Sequence, residues 1–370
     1  MNLSEHKKLI IKIGSSLLIN ESDGSLNKLW VKNLIKEVVE LKKNNHSVII
    51  VSSGAIGLGR KYLGFDDGYN RLEQQQAAAA SGQIILAHAY QDLFEKDNIK
   101  VAQVLLTLDD LEDRTKYINA RNTIETLLNI DVVPIINEND TVATEEIRYG
   151  DNDQLAARVS QLISADCLVL FSDVKGLYSA DPKTHPDAKL IKEIDDISNE
   201  ITAMATELKS EYGSGGMQSK IEAAKICMNS GCHTIIASGL LQKPISNINN
   251  TNEYSHFIPR ENPLSARKKW IRGMIDFKGS IEIDEGAESA LDNGKSLLPV
   301  GVEKVEGSFD KGELISITSK SGNEIAKGMT NYSSPEIELI KGLKTSEIKS
   351  KLDYRTTNEI IHRDNLVLTK

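Results

Sequence analysis

A chain of 370 residues is too long for one ordinary domain and fits two. Hydrophobic residues make up 40% and charged ones 26%, ordinary globular values, while an aromatic share of 5% leaves Leu, Ile, Val and Ala to build the core. A net charge of −9 argues against a protein held to nucleic acid by phosphate contacts and suits a soluble, cytoplasmic one.

The chain opens on a polar segment, Met1 to Lys8. The apolar run after it, Leu9 to Ile19, is short and interrupted by Lys12, so it reads as neither a signal peptide nor a membrane span. Leu9 to Ile13 reads instead as a strand ending at Gly14-Ser15-Ser16. A lysine at a strand end beside such a turn either offers its ammonium and the Gly14 and Ser15 backbone N–H groups to a phosphate, or simply sits in solvent before a turn. Trp30, Leu34, Ile35, Val38, Val39 and Leu41 follow helical spacing, and Val48 to Val51 is a second strand. It ends at Ser52-Ser53-Gly54, where Gly54 lets a backbone approach a ligand, or Ser53 caps a helix. Gln74 to Phe94, rich in Gln and Ala, is helical, with Tyr62 and Tyr90 expected to pack and His88 to be structural. Val101 to Leu106 is extended.

Val132 to Ile136 is a further apolar strand, and the stretch after it is the most informative in the chain. Asn137-Glu138-Asn139-Asp140 follows directly, then Gly150-Asp151-Asn152-Asp153, and a helical pattern opens at Gln154-Leu155-Ala156-Ala157. Carboxylates and amides this dense at a strand end are costly to desolvate unless something binds them. The arrangement suits a polar ligand carrying an ammonium group, or an ion cluster.

Cys167 to Phe171 and Thr234 to Ala237 read as strands, the former leaving through Ser172-Asp173-Val174-Lys175-Gly176. That exit could hold a nucleotide or be a bare strand–turn link. Between them Tyr212-Gly213-Ser214-Gly215-Gly216-Met217-Gln218-Ser219-Lys220 opens a helix with Ile221, Ala224 and Met228 on its core face. Such a loop either wraps phosphates, with Lys220 reaching them from the first turn, or is a flexible surface loop. It lacks the Walker spacing. Cys167, Cys227 and Cys232 give no disulfide framework and no zinc pattern, which points to a reducing compartment. No metal site built by the chain is expected. Apolar strands alternating with helices imply a mainly parallel sheet covered on both faces, an αβα sandwich with its polar strand ends on one edge.

After Pro259 the texture changes. Asn262-Pro263-Leu264 and the cluster Arg267-Lys268-Lys269 read as a linker, followed by short alternating runs at Ser280 to Asp284, Glu313 to Ile317 and Glu324 to Lys327. The expected organisation is an α/β domain over 1–258, a linker over 259–273 and a small β-rich domain over 274–358.

These stretches together resemble the amino-acid kinase family. The residues that carry the likeness are Lys12-Ile13-Gly14-Ser15-Ser16, Ser53-Gly54-Ala55-Ile56, Ile136 to Asp140, Gly150 to Asp153, Ser172 to Tyr178 and Gly215 to Lys220, in matching order and spacing. The tail resembles a PUA domain through Gly286-Ala287 and Gly294 to Gly301. The resemblance, strongest to members that act on glutamate, implies Mg²⁺- and ATP-dependent phosphorylation of the L-glutamate side-chain carboxylate to L-glutamyl 5-phosphate, the first step of proline biosynthesis. It implies that Lys12 and Lys220 stabilise the transferring phosphoryl group and that Asp153 holds them. It further implies that Ser53, Asp140 and Asn152, with Asn137 and Asp151, bind glutamate, and that Ser172, Asp173 and Ser214 to Lys220 bind ATP. A homo-oligomer, dimer or tetramer, and a functional link to the next enzyme of proline synthesis also follow from the resemblance. Ser172 and Ser52 stand where many relatives have Thr, and both keep the hydroxyl.

The chemistry agrees. A carboxylate nucleophile is already ionised near neutral pH, so no general base is needed and the absence of a histidine constellation fits. Asp140 beside Asn137 favours a substrate with a free amine, which disfavours N-acetylglutamate against glutamate; aspartate and carbamate are other acceptors to weigh. An RNA-binding role for the tail is the contrasting reading. Between Lys278 and Lys341 there are 7 Lys/Arg against 12 Asp/Glu, or 7 − 12 = −5, a poor surface for a phosphate backbone.

Overall fold

The computed structural model describes residues 3–20, 22–65, 71–142, 151–207, 216–352 and 357–369, with backbone only at 151, 206, 207, 349 and 350. By internal contacts the chain divides into two units, residues 1–111 with 120–263, and residues 112–119 with 264–370.

The first unit holds eight strands: β1 (Lys8–Ile13), β2 (Ser47–Ser52), β3 (Val101–Leu106), β4 (Val133–Glu138), β5 (Cys167–Ser172), β6 (Glu193–Ile194), β7 (His233–Ser238) and β8 (Tyr254–Phe257). They form one sheet in the order β3-β4-β2-β1-β5-β7-β8-β6. Every neighbouring pair is parallel except β7–β8. All six residues of β5 are buried, and side chains on a strand alternate between faces, so both faces of the sheet are covered. That is the αβα arrangement expected from the continuous apolar runs. β6 and β8 carry too little apolar pattern to be legible as strands.

β1 lies at the centre, with β2 on one side and β5 on the other. The strand order reverses there, and in open α/β sheets ligands bind outside the carboxyl ends at such a point. The carboxyl ends of β1, β2, β4 and β5 run into Gly14, Ser53, Asn139 and Asp173, the polar stretches singled out above.

Two helices fix one wall of that edge. Ala55–Leu63 follows β2, and Leu72–Glu95 packs against it at backbone distance. A Cβ on Gly59 would fall 1.7 Å from the Ala78 carbonyl oxygen, and one on Gly82 would fall 1.8 Å from that of Ala55. The small residues of the Gln/Ala-rich segment permit this approach. Gly54, at φ +90°, makes the turn from β2 into the first of these helices, a conformation that favours glycine. Tyr90 is fully buried with its hydroxyl 3.0 Å from Ser52 Oγ. Tyr62 corrects the expectation of packing: it is 70% exposed, because the helix turns that face outward.

The second unit is β-rich. Strands β9 (Gly279–Ile283), β10 (Val302–Gly307), β11 (Leu314–Thr318), β12 (Glu324–Met329) and β13 (Leu366–Leu368) form a sheet in the order β10-β9-β11-β12-β13. All pairs are antiparallel except β9–β11. Ile281, Ile315, Ile317, Tyr332 and Ile337 are core residues, each fully buried. Most of the stretch read as a linker is helical, Pro263–Gly273, with Pro263 at its first position, where a missing N–H costs nothing. Arg267, read there as part of a basic cluster in the linker, is buried and donates from Nε to Asn365 Oδ1 at 2.8 Å.

Candidate active site

Three elements converge on one carboxylate. Lys12 comes from β1, Asn152 and Asp153 from the first turn of the helix Asp151–Ile163, and Ser219 and Lys220 from the first turn of the helix Met217–Asn229. Asp153 is fully buried. Lys12 Nζ lies 2.5 Å from its Oδ1 and Lys220 Nζ 3.1 Å from its Oδ2. Ser219 Oγ donates to Oδ2 at 2.8 Å. Both lysines are nearly as buried as the acid, at 6% and 5% exposure.

Two ammonium groups share this one carboxylate. Burial alone would raise the Asp153 pKa. The charges of Lys12 and Lys220, with hydrogen bonds from Lys12 and Ser219, overcome it and hold the carboxyl down at about 2. Burial pushes the Lys12 ammonium below its usual value and Lys220 adds to that push, while Asp153 opposes both. Two lysines on one carboxylate, with the N-terminus of the helix Met217–Asn229 behind Ser219 and Lys220, put positive charge and the favourable end of the helix dipole on the same side.

A second cluster adjoins the first. Asn137, 2% exposed near the end of β4, accepts at Oδ1 from the Glu138 backbone N–H at 2.9 Å and from Asn152 Nδ2 at 3.1 Å. Asn152 Nδ2 also donates to Ser53 Oγ at 3.1 Å. Asn137 Nδ2 donates in turn to Gln83 Oε1 at 2.8 Å. Asn152 Oδ1 is buried and meets no donor among the described residues. An orphaned acceptor of this kind suits an incoming ammonium group.

The structure thus brings together Lys12, Asp153, Ser219 and Lys220 in one cluster and Ser53, Asn137 and Asn152 in the next. Asp140 is buried, at 8% exposure, two residues beyond β4. Ser172 donates to the Asp173 carboxylate at 2.8 Å where β5 ends, beside β1. Ser15 is exposed and begins a short helix after Gly14. Gly216 forms the N-cap of the helix carrying Lys220, Met217 is buried and Gln218 is exposed, its amide on Glu222 at 3.2 Å. Gly150, Ser214 and Gly215 lie outside the described residues, and Asp151 is described only as the backbone of a helix start. Gln83 was not anticipated. Its only sequence signal is its place one residue after Gly82, on the side of the helix that contacts Ala55.

Comparison with known proteins places the chain in a family. The model of the amino acid kinase family matches residues 7–238, and that of the PUA domain matches residues 279–352. A glutamate 5-kinase of Paramagnetospirillum magneticum is 48% identical over 366 residues, covering 99% of each chain. One of Agrobacterium fabrum is 50% identical, covering 99% of this chain and 94% of its own. Among solved structures, carbamate kinase from Giardia lamblia bound to AMP-PNP superposes with a TM-score of 0.50 at 17% identity, over 69% of this chain and 99% of its own. That last likeness bears on the fold alone.

Proposed function

This chain belongs to the amino acid kinase family, and we propose that it phosphorylates the side-chain carboxylate of L-glutamate with ATP. The product is L-glutamyl 5-phosphate, the first intermediate of proline biosynthesis. The observation that carries the reading is the pair of lysines sharing Asp153, one residue along from an amide whose buried oxygen meets no donor among the described residues.

One oxygen of the glutamate carboxylate attacks the γ-phosphorus. The new O–P bond forms as the bond from that phosphorus to the bridging oxygen breaks, and ADP leaves with the electron pair. Lys12 and Lys220 offset the charge on the transferring group, and Asp153 keeps both ammonium groups fixed before the reaction begins. The backbone around Gly14 and Ser15, the Ser172–Asp173 pair and the helix start at Gly216 to Lys220 hold the nucleotide. Ser53, Asn137, Asn152 and Asp140 hold glutamate, with Asp140 and Asn152 Oδ1 facing its ammonium. Mg²⁺ bound with ATP would screen phosphate charge. A homo-oligomer in the cytoplasm completes the reading; no helix among the described residues is long and apolar enough to cross a membrane.

The test is ADP release with L-glutamate and Mg-ATP, with hydroxylamine present to trap the acyl phosphate as a hydroxamate. Glutamate-dependent ADP with matching hydroxamate is expected. ADP release that does not depend on glutamate, or that yields no hydroxamate, overturns the reading.

A further inference from the structure

We infer that Gln83 is a positioning residue that sets which end of the Asn152 amide faces the substrate; the inference rests on the reading above. Which end of an amide is oxygen follows from its partners. The Glu138 backbone N–H can only donate, so the Asn137 atom 2.9 Å from it is the oxygen. The other end of Asn137 is then a donor, and Gln83 receives it with Oε1 at 2.8 Å. Asn137 Oδ1 in turn requires a donor from Asn152, which presents Nδ2 at 3.1 Å to it and at 3.1 Å to Ser53 Oγ. Asn152 Oδ1 is left at the far end, buried and without a donor among the described residues.

Three amides therefore point one way, from Gln83 through Asn137 to Asn152. Ser53 Oγ accepts or donates equally well and cannot fix the direction. Glu138 anchors the middle amide and Gln83 locks it from behind. Gln83 is 9% exposed on the helix Leu72–Glu95, held against the helix Ala55–Leu63 by the contact at Gly82 and Ala55. It has the rigidity a positioning group needs. With its acceptor gone, the buried Asn137 Nδ2 has no partner in line, and as that amide rotates to find one its Oδ1 leaves the position where Asn152 Nδ2 donates to it. Asn152 then turns its N–H₂ toward the substrate ammonium, two donors face to face. Recognition of the amino group, rather than of the carboxylates, is what Gln83 supports.

The test compares L-glutamate with glutarate, which keeps both carboxylates and lacks the amine. In the unaltered chain and in Gln83→Met, Gln83→Leu and Gln83→Glu, the KM for glutamate, the KM for ATP and the inhibition constant of glutarate are measured. Met and Leu remove the acceptor at similar volume; Glu keeps an accepting oxygen. The glutamate KM is expected to rise about tenfold in Met and Leu, the scale of one buried hydrogen bond lost, with the ATP KM and glutarate binding unchanged and with Glu restoring the preference. A glutamate-to-glutarate preference that survives in Met or Leu overturns the inference. So does a parallel loss of ATP and glutarate binding, which marks general loosening. An unaltered chain with no glutamate-dependent turnover overturns the functional reading, and the inference with it.

Discussion

Lys12 and Asp153 meet at 2.5 Å with side chains 7% and 0% exposed, and this contact joins the central strand to a helix that also carries Asn152 of the amide cluster. The pair is neutral by itself. Lys220 brings a second ammonium to the same carboxylate.

That arithmetic separates single from double lysine variants. Lys12→Ala and Lys220→Ala each leave one ammonium for one carboxylate, so each should fold while turnover falls about 10²–10³-fold, the scale of losing one preorganised charge. The double variant strands Asp153 as a buried anion and should lose about 3–5 kcal/mol of stability. Urea unfolding of all three, beside coupled ADP assays, checks both statements. Near-normal turnover in either single variant would remove that lysine from the chemistry.

Asp140→Ala should act on glutamate rather than on ATP. A glutamate KM raised tenfold or more, about the cost of an ion pair to a bound ammonium, with the ATP KM unchanged, is the expected result of steady-state kinetics. A change confined to ATP would contradict its assignment.

Gly82→Ala drives a methyl to 1.8 Å from the Ala55 carbonyl oxygen, a backbone atom that cannot swing aside. The helix Ala55–Leu63 must move, at a cost of about 1–3 kcal/mol, and Ser53 and Gly54 at its start move with it. Thermal unfolding and the glutamate KM should worsen together. Gly64→Ala is the contrast: its Cβ meets nothing within 4 Å, and only its φ of +70° opposes the change.

Acid sensitivity should come from a place far from the chemistry. At the opposite edge of the sheet, His233 Nδ1 lies 2.9 Å from His256 Nε2, and His6 packs on His233 with ring centroids 4.8 Å apart. Burial, with the neighbouring histidines adding to it, lowers both His233 and His256 from 6.5 to about 4; Asp166 opposes the shift at His233. Folded values below unfolded ones mean the unfolded chain takes up protons first. Stability is therefore full above pH 6.5 and falls as the pH drops from 6.5 toward 4. Melting temperatures across that window, with His256→Gln flattening the slope, check it; an unchanged slope would clear the stack of the effect.

The chemistry at the strand ends was legible because it is local. Lys12, Ser53, Asn137, Asp153 and Lys220 each stand within a few residues of an apolar run that can only be a strand or a buried helix face. Gln83 was not, because it is one of several glutamines in a helix, and which of them faces β4 depends on how two helices pack. Gly59 and Gly82 held that information only jointly. The helix Pro263–Gly273 was misread through its basic residues, although proline after asparagine is also how many helices begin. Tyr62 failed in the other direction, since an aromatic ring alone does not say which face of a helix is covered.

Asn152 and Asp153 are consecutive residues at the start of one helix, yet one looks toward Ser53 and the other toward Lys12 and Lys220. Their α-carbons are therefore separated by a single peptide unit, about 3.8 Å. Under the proposed function, acceptor and donor of the phosphoryl group would be spaced by a covalent ruler instead of by the fit of two domains. Warming softens packing but does not stretch a peptide, so reactant alignment should outlast looser binding as temperature rises.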